Sequence, residues 1–164
     1  MSTTATTIDA RVYLGAWLNA LTGMTSADIK AMPTEKWGTS FGGCTRSAQD
    51  VVAETANLLN WTAEAMRGNV VATMEDAYPA ATKEACATQD GAIATLAAAS
   101  KNFTEALASA SDETLQAEVT PPWQMPAPLF MIAQIAVSHV WYHDGQLNFM
   151  QCLLGDEKVH WMGD

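Results

Sequence analysis

Residues 136–156 read AVSHVWYHDGQLNFMQCLLGD. Apolar side chains recur here at helical spacing and Gly155 ends the pattern, so the sequence predicts a long helix from about Pro128 to Leu154. It carries two of the three histidines in the chain, His139 and His143. Residues i and i+4 project from one side of a helix, a turn apart, so both rings can face one point. An inward stripe drawn through Ile132, Ala136, His139, His143, Gln146, Met150 and Leu153 turns both imidazoles toward a helical interior. Neutral imidazole ligates zinc, nickel and iron. The same short spacing also suits two satisfied core or rim histidines.

Working outward, the rest of the chain reads as helices separated by proline, glycine and small polar residues. It lacks the period-two alternation of half-buried strands. A first helix is expected over about Ile8–Leu21, with Val12, Leu14, Trp17, Leu18 and Leu21 as its apolar stripe before Gly23. A short helical piece over Ser26–Ala31 follows, with Ser26 as cap and Pro33 as stop. The loop TEKWGTSFGGCTRS leads to a second helix from Ser47 toward Arg67, closed by Gly68 and Asn69. A third, alanine-rich helix is expected over Thr82–Ala110, with Gly91 a weak point inside it. Four main helices with one long connection in the middle and another before the last describe an all-α four-helix bundle. Its 164 residues suit a single domain, 1–164.

Acidic residues outnumber basic ones 18 to 8, a formal charge of -10. Such a surface repels phosphate backbones and anionic headgroups, which argues against nucleic-acid and membrane binding. No apolar run approaches the roughly 18–20 residues of a membrane span. Cys44, Cys86 and Cys152 are odd in number and form no C-x-x-C pair, the pattern of free thiols in a reducing compartment. The opening MSTTATTIDA has neither a basic nor an apolar leader region, so no secretory signal is expected and the cytoplasm is the simplest location.

Two histidines rarely hold a metal alone, so a third ligand is sought on a neighbouring helix. In SAQDVVAETANLLNWTAEAM, the positions Val51, Glu54, Leu58, Trp61 and Ala65 form one stripe, with Glu54 its only charge. A buried carboxylate needs a cation. The other stripe, Val52, Thr55, Leu59, Thr62 and Met66, would instead turn Glu54 to solvent. Gln146 either lines the pocket and hydrogen-bonds a ligand imidazole or is a helix-packing amide. Asp144 is expected to point away into solvent, Tyr142 and Trp61 to be pocket walls or core, and Asp50 to be an outer partner of Glu54.

The run SHVWYHDGQLNFMQCLLGD resembles the closing helix of the DinB-like family, metal-binding four-helix bundles. The family signature is a histidine, three residues, a second histidine, one residue, Gly-Gln, and an apolar helix ending in glycine. Here those positions are His139, His143, Gly145, Gln146 and Gly155. PPWQMPAPLFMIAQIAVSH is similar to the family's approach to that helix, and RSAQDVVAETANLLNWTAEAM to its second helix. The resemblance implies a metal held by one ligand from the second helix and two from the last. The first is a histidine in the family, and Glu54 stands in its place here. His160, in EKVHWMGD, is a further candidate ligand, reaching back from the tail or across a dimer interface.

The resemblance further implies a divalent metal, zinc or nickel ahead of iron or manganese, on Glu54, His139 and His143, with Gln146 at the bound cofactor or substrate. It implies a homodimer and a small-molecule substrate, with chemistry of the kind run by metal-dependent transferases and isomerases on low-molecular-weight thiols. A thiol S-transferase or a hydrolase is then the expected activity. The rival expectation is a non-catalytic binding or stress-response module with a variant or vestigial metal site. The chain has no recognisable nucleophilic triad, phosphate-binding glycine loop or H-E-x-x-H.

Overall fold

The computed structural model describes residues 9–162. Its bundle is made of α1 (Ala10–Ala31), α2 (Ala48–Met66), α5 (Gln89–Ser109) and α7 (Leu129–Leu153), with α3 (Met74–Ala77), α4 (Ala80–Ala85) and α6 (Asp112–Gln116) in the connections. Helices α1 and α2 each pack on both α5 and α7, so α1 and α2 stand on one diagonal of the bundle and α5 and α7 on the other. The contact between α2 and α7 is the one that brings Glu54 to the two histidines.

Helix α1 is longer than its sequence signals suggest, running unbroken through Gly23 and Ser26. Ser26 is not a cap. Its Oγ donates back to the carbonyl of Thr22 at 2.6 Å, which keeps the hydroxyl satisfied inside the helix. What carries the helix on is burial, because Leu14, Leu18, Leu21, Thr25, Asp28 and Ile29 make one continuous inward stripe. Val12, assigned to that stripe on spacing, is 68% exposed, and Trp17 also reaches the surface. Ile8, the expected first residue, lies outside the described residues.

Helix α2 begins where its cap residue requires. Ser47 Oγ accepts from the Asp50 backbone N–H at 3.1 Å while the Asp50 carboxylate accepts from the Ser47 N–H at 3.2 Å, a reciprocal capping box. It ends in a left-handed Gly68 (φ 88°), with the Asn69 N–H bonded to the Glu64 carbonyl and the Gly68 N–H to that of Ala65. The two stripes weighed for this helix are not alternatives, since Val51, Leu58 and Trp61 are buried and so are Val52, Thr55, Leu59 and Thr62. The helix is enclosed nearly all round, and the Thr55 and Thr62 hydroxyls donate to the Val51 and Leu58 carbonyls at 2.9 and 2.8 Å.

The alanine-rich helix expected from Thr82 is broken at residues 86–88 into α4 and α5. Thr88 caps α5 by accepting from the Gly91 N–H at 3.1 Å. Gly91 is thus in the first turn, where a β-carbon would sit 2.3 Å from the Ala85 carbonyl oxygen, so only glycine fits the crossing. The break places the Cys86 carbonyl to accept from Trp37 Nε1 at 2.8 Å. It also places Gln89 Nε2 to donate to the Met32 carbonyl at 2.6 Å, tying the end of α1 to the start of α5.

Before α7, β1 (Glu118–Val119) pairs antiparallel with β2 (Ala127–Pro128). A two-residue ladder is too short to leave any alternation in a sequence. Helix α7 then closes on Gly155 (φ 85°), with the Asp156 N–H on the Gln151 carbonyl at 3.0 Å. Cys44, Cys86 and Cys152 are free thiols. No helix among the described residues is long and apolar enough to cross a membrane.

Candidate metal centre

His143 sits at the middle of α7 on its buried face, 1% exposed, and His139 one turn earlier is half-buried. Their Nε2 atoms approach to 2.7 Å with the rings edge to face. From α2, Glu54 Oε1 reaches 3.4 Å from His139 Nε2 and 3.8 Å from His143 Nε2. One ligand atom from each residue lies within 4.8 Å of the other two. Glu54 is therefore brought to two histidines that lie about half the chain away in sequence, and at 26% exposed it takes the inward orientation.

Gln146 fixes which nitrogen of His143 faces this point. Its Nε2 donates to the Tyr142 hydroxyl at 3.0 Å, so its Oε1 is the atom turned to His143 Nδ1 at 2.7 Å and accepts from an N–H there. The Nε2 of a neutral His143 then carries a lone pair toward Glu54 and His139. The imidazole is held neutral. Burial, reinforced by His139 and Arg46 and only partly opposed by Gln146, pushes His143 down to about 4. His139 is lowered as well, by burial first and Arg46 second.

The lone pair of His143 Nε2 and the Oε1 of Glu54 face each other with no charge of their own between them, and two neutral imidazoles with one carboxylate are a donor set for zinc, nickel, iron or manganese. The orientation of the three residues and the neutral state of the two imidazoles fit a divalent ion. Tyr142, largely exposed, lies over the pair, its ring 5.0 Å from that of His143 and 6.0 Å from that of His139. One cleft opens on the cluster and a second lies beside its neighbours. The first, of about 400 Å³, is lined by His139 and Tyr142 with Met131 and Ile135; the second, of about 350 Å³, is lined by Arg46 and Gln146.

Arg46 is the residue that sequence reasoning missed. It pairs with Glu54 Oε2 from the loop before α2, so the carboxylate is shared between a guanidinium on one oxygen and the imidazoles on the other. The demand of a buried carboxylate for a cation was the available signal. Helical periodicity could not name Arg46, because that residue lies outside any helix.

Other expectations are redirected. Asp50 serves the α2 cap and an ion pair with Lys83 at 2.5 Å, not Glu54. Trp61 takes the core option of its two readings, packed on Trp123 at 5.4 Å with its Nε1 donating to the Val71 carbonyl. His160 pairs with Asp156 at 2.8 Å, four residues away on the tail. Leu153, drawn on the inward stripe, is 55% exposed, because a straight helix drifts off a seven-residue repeat over this length.

Asp144 is the largest correction. It is buried rather than solvated, facing Thr25 and Asp28 of α1, and burial with the nearby Asp28 pushes it up to about 7. Asp28 is raised too, by burial, while its Oδ2 accepts from Asn148 Nδ2 at 2.9 Å.

No protein-family model matches the sequence, and no curated protein matches it. Among solved structures, the chain is similar to the mycothiol-dependent maleylpyruvate isomerase, with a TM-score of 0.64 at 14% identity, over 85% of this chain and 61% of that one. A histidine-to-alanine mutant of that enzyme gives 0.63 at 17% identity over the same shares. The chain thus spans 61% of the length of the enzyme it matches. The likeness shows the fold, the DinB-like helical bundle expected from residues 139–155.

Proposed function

We propose that Glu54, His139 and His143 hold a divalent metal ion, zinc or nickel ahead of iron or manganese, and that the chain is a metal-dependent thiol S-transferase or hydrolase acting on a small molecule. The observation that carries this reading is the convergence of one carboxylate oxygen and the Nε2 atoms of two neutral imidazoles, beside a cleft lined by His139. Three protein ligands leave positions for an exogenous group, as in catalytic rather than structural sites. Bound there, the ion would supply Lewis acidity, lowering the pKa of a thiol or water placed beside it.

The chain's own residues divide the remaining work. Gln146 keeps His143 in the ligating tautomer and Tyr142 shields the pair from one side. Glu54, as a ligand, is not also a free base. The cleft lined by His139 and Tyr142 gives a low-molecular-weight thiol a way to the centre, which supports small-thiol chemistry there. A structural neighbour is a mycothiol-dependent isomerase, which supports small-thiol chemistry of that kind here without carrying over its substrate.

A second reading has its own support. Arg46 already neutralises Glu54, so the cluster can stand without a metal as a vestigial site in a binding module. Elemental analysis of untagged protein, beside Glu54→Ala and His143→Ala, separates the two. One equivalent of metal, lost in both variants, supports the metalloenzyme. Protein that stays empty after reconstitution leaves the binding module. We also expect a homodimer, supported by the exposed Trp17 and Trp141, whose rings meet at 5.7 Å across α1 and α7, and tested by sedimentation.

A further inference from the structure

The cleft of about 350 Å³ beside the candidate centre has a composition of its own. Its walls are Phe41, Phe149, Met150 and Leu153, and Arg46 is the only charged residue lining it. Phe149 and Leu153 are large apolar side chains left exposed on α7, and this cleft is where they are used. Apolar walls with a few placed polar groups, here Arg46, Thr45 and Gln146, are the make-up of a small-molecule site, and the volume falls at the lower end of the usual range of about 300–1,000 Å³. Gln146 lines it too, so an occupant would lie against the residue that orients His143.

The charge is the informative part. With 18 acidic and 8 basic residues, the chain as a whole repels anions, so a lone arginine in an apolar wall is a local exception. Its side chain is 44% exposed, and Glu54 is the only carboxylate it pairs with among the described residues. The planar guanidinium offers five N–H donors, more than one carboxylate oxygen can use, and its fork matches a second carboxylate. When Glu54 gives its charge to a metal, Arg46 is no longer fully neutralised.

We propose that this cleft binds a small molecule with an apolar body and one carboxylate, and that Arg46 recognises the carboxylate. One positive charge selects a monoanion, and the aromatic and aliphatic walls select its body. This rests on the reading of Glu54 as a metal ligand for its timing, since the metal frees Arg46, but the recognition itself is separable from the metal. Replacing Glu54 by glutamine frees Arg46 with no metal present.

The test uses two probes of one shape, 4-phenylbutanoate and its uncharged amide 4-phenylbutanamide, titrated calorimetrically into chelator-treated full-length protein. Glu54→Gln is expected to bind the carboxylate about tenfold more tightly than the amide, the worth of one charge-assisted contact. Adding Arg46→Met should equalise the two probes, and Arg46→Gln serves the same purpose if the methionine variant does not fold. Equal binding of both probes by Glu54→Gln, or a carboxylate preference that survives loss of Arg46, overturns the proposal. Metal content of the unmodified protein is a separate readout. Metal without the preference sinks the carboxylate site alone, and the preference without metal sinks the metal reading alone.

Discussion

Gln146 Oε1 lies 2.7 Å from Nδ1 of His143, its neighbour one turn back on α7, and the Gln146 amide is itself held by the Tyr142 hydroxyl. The side chain behind His143 is therefore what decides which face of the imidazole is basic. Gln146→Ala should leave the fold intact by circular dichroism and weaken metal binding about 10- to 100-fold, the usual effect of removing an outer hydrogen bond from a ligating histidine. Competition with a chromophoric chelator measures it. Unchanged affinity would mean that Gln146 only packs the helix.

Acid stability should reveal two opposed titrations. His143 is pushed down to about 4 in the fold against an ordinary value near 6.5, so the unfolded chain binds the extra proton first. Its contribution is complete above the ordinary value and is lost as pH falls toward about 4. Asp144, pushed up to about 7, works the other way, because the unfolded chain ionises it first as pH rises. Between these limits the two contributions oppose each other in chelator-treated protein, with His139 adding to the histidine side and Asp28 to the carboxyl side. Asp144→Asn should expose the histidine term, with stability rising with pH and exceeding the parent at pH 8 by about 1 kcal/mol or more. Urea unfolding across pH checks it, and a parent curve that falls steeply with acid while the variant's stays flat would contradict it.

Gly91→Ala is expected to destabilise the bundle, against the usual gain of alanine over glycine in a helix. Its β-carbon would meet the Ala85 carbonyl oxygen at 2.3 Å, and that oxygen is backbone and cannot swing aside. Overpacking of this kind costs about 1–3 kcal/mol. A thermal melt at or above that of the parent would show that the α4–α5 joint has room to open.

His160→Ala should leave metal content and affinity unchanged. His160 Nε2 is engaged by Asp156 at 2.8 Å, and the cluster of three candidate ligands forms without it. Metal lost in this variant, measured beside His143→Ala, would bring the tail into the centre.

The sequence by itself determined the helical class, the start of α2 at Ser47, the glycine stops at Gly68 and Gly155, and the pairing of His139 with His143, because each depends on residues within a turn or two of one another. It also marked Glu54 as a carboxylate in need of a cation. Tertiary structure decided the rest. Local signals at Gly23 and Ser26 ask α1 to stop, and burial of Thr25, Asp28 and Ile29 in the bundle overrides them. Asp144 reads as a solvated acid on its own helix and becomes buried only because α1 lies against it. Arg46 joins Glu54 from a loop, where no periodicity reports direction. Short-range order follows from backbone bonding that the chain writes locally, whereas burial and charge pairing depend on which helix arrives opposite, and that is settled only when the four helices pack together.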